Sequence, residues 1–155
     1  MLQPLRRSGP GYDDDLAEWA SHQARLLRER RFSELDLTNL VDEVESMPRS
    51  DLRAIGSHLT VLIAQLLKWR YQPSNRKGGW RTTIRVQRIE IAELLRDSPS
   101  LGRRLPELWD RSYALARAAA ERDTGLPFEA FPDACPFTPE QVLDPEWLPE
   151  AVEGA

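Results

Sequence analysis

The sequence is poor in the residue types that most catalytic and metal sites require. Its 155 residues include one cysteine, Cys135, and two histidines, His22 and His58. A single cysteine excludes an intrachain disulfide and a cysteine-based zinc site. No Gly-x-Ser-x-Gly elbow and no glycine loop of the dinucleotide or Walker type is present. Because Cys135 lies among acids and prolines without a basic neighbour, we interpret it as a small packed side chain.

The sequence also lacks a hydrophobic run long enough to cross a bilayer. The most apolar stretch, residues 59–67, is short and is interrupted by Thr60 and Gln65, whereas a transmembrane helix needs about 20 mostly apolar residues. The first ten residues have no apolar core of the kind found in signal peptides. We therefore expect a cytoplasmic protein that makes no membrane contact.

Charge of one sign is missing from two parts of the chain. Residues 52–89 contain eight lysines and arginines and no carboxylate, and residues 123–155 contain eight carboxylates and no base. The formal net charge of -4 conceals this separation. A basic middle and an acidic C-terminal part of this kind bear on the choice of partners.

What the sequence does contain is helical periodicity. Leucine, isoleucine and tryptophan recur every three or four residues over 50–72, which predicts a central helix that begins at Ser50 and ends before Pro73. Asp13, Asp14 and Asp15 supply the N-cap and first turn of an earlier helix. A second, shorter helix is predicted from Asp36 until Pro48 ends it, with this apolar face: Leu37, Leu40, Val41, Val44 and Met47.

Turn residues follow the central helix, and further helices follow the turn. The pattern predicts a helix that ends near Asp97, a break near Leu105 and an alanine-rich helix to Thr124 with Gly125 as its C-cap. Thr138 and Gln141 form a capping box. The predicted fold is all-α, a bundle of about five helices around a central helix 50–72. Its predicted parts are a flexible arm over 1–11, the bundle over 12–125 and, in the same domain, an ordered C-terminal wrap over 126–150.

Several segments of the sequence resemble, in their order along the chain, a bacterial family known as domain of unknown function 29. They are YDDDLAEWASHQARLLRERRFSELDLTNLVDEVESM, LKWRYQP, WRTTIRVQR, DSPSL and TGLPFEAFPDACPFTPEQVLDPEWLP. The resemblance runs from about Tyr12 to Pro149 and implies an intracellular helical bundle, with no established activity. The family commonly has a histidine where this chain has Gln65, so a reaction or metal that used that histidine would be lost here.

Five polar residues border the apolar faces of the predicted helices. Helical bundles build metal sites from facing helices, but the Glu-x-x-His signature is absent and no spacing pairs the two histidines. The pattern favours a hydrogen-bonded polar layer that fixes helix register, with no metal and no cofactor. A metal-dependent enzyme centred on Glu43, His58 and Gln65 is one alternative. The full polar set is Gln23, Glu43, His58, Gln65 and Gln87.

Five basic residues form a candidate anion site or nucleic-acid site over residues 76–88. They combine a glycine loop, a helix N-terminus and a stripe at spacings of four and three: Arg76, Lys77, Arg81, Arg85 and Arg88. A solvated face, or pairing with the acidic C-terminal part, is the simpler interpretation because the whole protein is acidic.

Three hypotheses about function therefore stay open. The first is an uncharacterised module that acts through protein contacts or self-association and has no activity of its own. The second is an anion or nucleic-acid binder, and the third is the metal-dependent enzyme. A basic face covered by the C-terminal wrap favours the first hypothesis, and an uncovered one favours the second.

Overall fold

A computed structural model describes residues 9–152 and shows helices without strands in that range. The α-helices are α1 (Leu16–Arg28), α2 (Leu37–Tyr71), α3 (Gly78–Asp97), α4 (Leu105–Thr124) and α5 (Pro139–Leu143). The all-α prediction is confirmed. The chain divides into two compact units, the first ending at Met47 and the second beginning at Pro48. Most of the predicted arm lies outside the described residues, and its boundary stays a prediction.

In the first unit, α1 begins and packs as its sequence indicates. The Asp15 side chain accepts a hydrogen bond from the Glu18 amide and caps the helix, as predicted. The buried residues of α1 follow at spacings of four and three: Trp19, Gln23 and Leu26. The Trp19 indole donates to the Asp36 carboxylate at 3.1 Å, and the Gln23 side chain accepts from the Asp36 amide at 2.8 Å. These bonds fix the residue that precedes α2.

The predicted break at Pro48 is wrong, because α2 is one helix of 35 residues with Pro48 inside it. Ser50 is therefore not an N-cap. A proline inside a helix loses one backbone hydrogen bond and costs roughly 3 kcal/mol. Apolar residues that follow Pro48, beginning with Leu52 and Ile55, are buried. Each such side chain contributes about 1.5–3 kcal/mol when it is buried, so two of them offset the cost of the proline. The C-terminal end of the predicted central helix is correct, since α2 ends at Tyr71 before Pro73.

In the second unit, the later part of α2 packs in one apolar core with α3 and α4. Leu62, at the middle of the predicted apolar stripe, is fully buried. Ile84 and Ile91 of α3 and Ala116 of α4 belong to the same core. The Ser112 hydroxyl of α4 donates to the Gly56 carbonyl of α2 at 3.2 Å. The second half of α2 is thus covered on several sides.

The C-terminal wrap completes this core. Phe131, Phe137 and Val142 are buried in it, and Phe131 makes an edge-on contact with Tyr71 of α2 at 5.4 Å between ring centroids. Gly125 ends α4 with φ 71°, a left-handed conformation that glycine adopts without strain. Both the predicted glycine cap and the capping box at Thr138 are confirmed. The wrap is packed on the helices, as its aromatic content predicts.

Candidate functional site

The first half of α2 presents an apolar stripe to solvent. We call it the outer stripe and define it as four side chains that the helix places at spacings of four, three and three residues. In the whole chain their exposed fractions are 61% for Leu37, 52% for Val41, 62% for Val44 and 63% for Met47. Such side chains are ordinarily covered when they recur with helical period. Among the residues that the structure describes, the outer stripe is therefore an unpartnered helix face.

The inner side of the same turns is more polar than the outer side. Asn39, Leu40, Glu43 and Ser46 are the partly buried residues of this segment. The Tyr12 hydroxyl donates to the Glu43 carboxylate, and this bond raises the pKa of Tyr12. These inner contacts orient the helix so that its apolar residues face outward. Helical periodicity identified the apolar face, but the structure places it outside.

One acid flanks the outer stripe. Glu45 is exposed and lies one turn beyond Val41, so these two side chains share a helix face. The described residues 9–47 contain ten carboxylates and four arginines. The described part of the first unit, which carries the outer stripe, therefore has a negative formal charge.

The structure separates Arg88 from the other residues of the predicted basic stripe. Arg76 lies over the Trp69 ring at 4.3 Å and donates to the Trp69 carbonyl at 3.0 and 3.1 Å. Lys77, Arg81 and Arg85 are exposed, whereas Arg88 is 6% exposed. Only part of the predicted stripe is available to an extended polyanion.

Arg88 binds the main chain of the C-terminal wrap. Its Nε donates to the Val142 carbonyl at 2.8 Å, and its Nη2 donates to the carbonyls of Trp147 at 2.9 Å and Gln141 at 3.4 Å. A longer contact of 3.5 Å joins Nη1 to the Pro145 carbonyl. Burial lowers the pKa of Arg88, and the nearby Asp144 opposes that effect. We call this set of bonds the Arg88 anchor.

A cleft opens beside the Arg88 anchor, between α3 and the wrap. It has a volume of about 310 Å³, and Arg81, Arg85 and Arg88 line it together with Glu146. Sequence reasoning found the three arginines by their spacing. It missed Glu146, because only the folded path of the wrap brings that residue to α3.

The five residues of the predicted polar layer have different partners. His58 and Gln87 are brought together, with 2.7 Å between Nδ1 and Oε1. Gln23 and Glu43 bond to Asp36 and Tyr12, respectively. The Gln65 side-chain oxygen is buried without a hydrogen-bond partner among residues 9–152. The His58–Gln87 pair is the part of the layer that ties two helices, α2 and α3, together.

A second cleft, of about 390 Å³, lies between α4 and the wrap around Tyr113 and Cys135. Burial raises the pKa of Tyr113 to about 12, and burial also raises the pKa of the Cys135 thiol. The Tyr113 hydroxyl donates to the Pro132 carbonyl. Both groups are protonated at neutral pH, so neither is an activated nucleophile.

Within residues 9–152, no three His, Cys, Asp or Glu side chains are arranged to hold a metal ion. No helix in the described part of the chain has the length and hydropathy of a membrane span.

Comparison with known proteins identifies a family. The model of a family described as domain of unknown function DUF29 matches residues 12–148. No curated protein and no solved structure matches the chain.

Proposed function

The chain belongs to the DUF29 family, whose model covers most of its length, and we propose that it is a protein-interaction module with no reaction of its own. Its partner is an amphipathic helix with an apolar face and basic flanks, which binds the outer stripe. The observation that carries this proposal is the exposure of four apolar side chains on one face of α2. A cytoplasmic location is part of the proposal and is supported by the single cysteine.

The spacing of the outer stripe supports a helix as the partner. Apolar residues separated by three or four positions form the seam by which one helix packs against another. The stripe lies on the surface of a regular helix, so no rearrangement is needed before binding. Helix-in-groove recognition uses anchors at the same spacings.

The flanking acid decides which helix fits. If two copies of this chain paired antiparallel with full overlap of their stripes, Glu45 of one copy would lie on the same side of the interface as Glu45 of the other. Like charges across an interface are unfavourable. Lysines or arginines on the flanks of the partner would instead be opposite this carboxylate. A basic amphipathic helix is therefore favoured over a second copy.

Two synthetic helices test the proposal. Each has about 18 residues, long enough to form a helix on a surface, and the same leucine seam, but one has lysine flanks and the other glutamate flanks. Fluorescence anisotropy with the full chain should show binding of the lysine peptide and binding at least about tenfold weaker of the glutamate peptide.

Two matched variants locate the binding surface. Val44→Asp should abolish binding of the lysine peptide although it adds a negative charge, because it interrupts the apolar seam. Val61→Asp should leave binding intact, since Val61 is an exposed valine of α2 outside the stripe. Equal loss in both variants, or binding of neither peptide, would contradict the proposal. A wild-type dimer that Val44→Asp dissociates, measured by light scattering, would identify a second copy as the occupant instead.

A further inference from the structure

We propose that the cleft between α3 and the C-terminal wrap binds a phosphate group. This site lies on α3 and the wrap, involves none of the outer stripe, and is independent of the protein-interaction proposal. Its walls include three guanidinium groups, from Arg81, Arg85 and Arg88, and one carboxylate, from Glu146. The formal charge of the lining is thus +2, which matches a phosphate dianion.

The hydrogen bonds of Arg88 leave donors for a ligand. A guanidinium has five N–H groups. The Nε and both Nη2 positions of Arg88 point to wrap carbonyls, whereas the sole protein contact of Nη1 in the described structure is the 3.5 Å approach to Pro145. One Nη1 N–H therefore has no protein acceptor, and Arg88 itself lines the cleft. The contact of Nη1 with Pro145 is only partly buried, so a ligand that enters the cleft could accept a hydrogen bond from that N–H.

Arg88 has a carboxylate nearby, Asp144, but makes no ion pair with a carboxylate among residues 9–152. Its hydrogen-bond partners there are carbonyl oxygens. Buried charges are usually paired with an opposite charge. An oxyanion in the cleft would supply that charge and would meet Arg81 and Arg85 as well. Guanidinium groups bind phosphate through paired N–H donors, which makes arginine suited to this role.

The shape and remaining walls of the cleft limit the ligand. Its volume is at the low end of the range for small-molecule pockets, and Ile84, Ile89 and Leu148 supply apolar wall. A small phosphate monoester with an apolar group fits both features. A nucleic-acid backbone fits less well, since a strand needs a track of exposed cations, and Arg88 is recessed.

Calorimetric titrations with inorganic phosphate and phenyl phosphate, at fixed ionic strength, test the site. Both should bind with saturation, and benzoate, a monoanion, should bind at least about tenfold more weakly. Arg85→Gln and Arg81→Gln should each weaken phosphate binding about tenfold or more. Both side chains are exposed, so these variants should fold as the wild type does. Arg96→Gln provides a control, because Arg96 is an exposed arginine of α3 outside the cleft.

Glu146→Gln gives the sharpest result. Removal of the one carboxylate in the lining should tighten phosphate binding by roughly threefold to tenfold. Equal weakening by Arg96→Gln and Arg85→Gln would show general charge attraction and overturn the proposal. Absence of saturable phosphate binding would also overturn it. So would tighter binding of a single-stranded oligonucleotide that depends on Arg76 and Lys77 rather than on the cleft.

Discussion

The two halves of α2 have similar apolar periodicity and opposite surroundings. In the second half, from Leu52 to Leu67, the apolar stripe is buried by α3, α4 and the C-terminal wrap. In the first half, the outer stripe from Leu37 to Met47 is more than half exposed. Periodicity determines which side chains share a face, but burial of that face requires a second surface. The first half lacks the covering surface that the chain supplies to the second half, and this lack is the basis of the proposed partner helix.

The largest effect is expected in the buried half. Leu62→Ala should lower the free energy of unfolding by about 2–5 kcal/mol, because it removes buried methyl groups and leaves a cavity. Urea denaturation measures the change, and Val61→Ala, at the exposed neighbouring position, should cost far less. Similar losses in the two variants would show that the second half of α2 is not the centre of the core.

Loss of the Arg88 anchor should have the next largest effect, since the anchor fastens the wrap over the buried half. Arg88→Gln should cost about 2–3 kcal/mol, because carbonyls of the wrap lose a charged donor. Hydrogen exchange should rise at amides in residues 141–147. Arg96→Gln is the control, and a stability loss no larger than in that control would mean that the wrap is held by apolar packing alone.

High pH should also lower the stability of the fold, through two groups in or beside the C-terminal wrap. Tyr113 and Cys135 are neutral in the fold and have raised pKa values, so their contribution to stability is complete below their unfolded pKa values, near 10.0 and 9.0. It is lost as pH rises toward about 12, where Tyr113 ionises in the folded chain. Urea midpoints measured from about pH 8 upward should therefore fall.

Variants at these two positions should show how much of the stability lost at high pH is due to Tyr113 and Cys135. Tyr113→Phe combined with Cys135→Ala should reduce the slope of the stability curve. A smaller loss should remain because the pKa of Tyr12 is also raised, chiefly by its bond to Glu43. An unchanged slope in the double variant would assign the alkaline loss to other groups.

The smallest effect is expected in the outer stripe. Val44→Ser should change the stability of the isolated chain by no more than about 0.5 kcal/mol, because the side chain is 62% exposed. The same substitution should weaken binding of the lysine-flanked peptide to the outer stripe. If Val44→Ser destabilises the chain as strongly as Leu62→Ala does, the two halves of α2 do not differ.

Local signals predicted many of the helix ends. Asp15, Gly125 and Thr138 act through their own neighbours in sequence, so their capping roles could be read without tertiary information. Pro48 could not be interpreted in this way. Its cost is local, but the packing that offsets it comes from residues far along the chain. Sequence alone therefore divided one long helix into two.

The candidate sites show the same division between local and tertiary information. Spacing alone grouped Arg81, Arg85 and Arg88, which lie at successive turns of α3 and line one cleft. It did not distinguish the two exposed members from the buried one, since burial of Arg88 depends on the path of residues 141–147. The apolar face of the first half of α2 was likewise predicted as a face, but its exposure was not.

The acceptors of the Arg88 anchor are backbone carbonyls. This determines which positions of the anchor can change their amino acid. Every residue type carries a carbonyl, so residues 141–147 could change side chains without losing their bonds to Arg88, provided the chain keeps its path. Arg88 has no equivalent substitute, because lysine offers a single ammonium in place of a planar fork. Saturation mutagenesis should therefore find a tolerant segment facing an intolerant arginine.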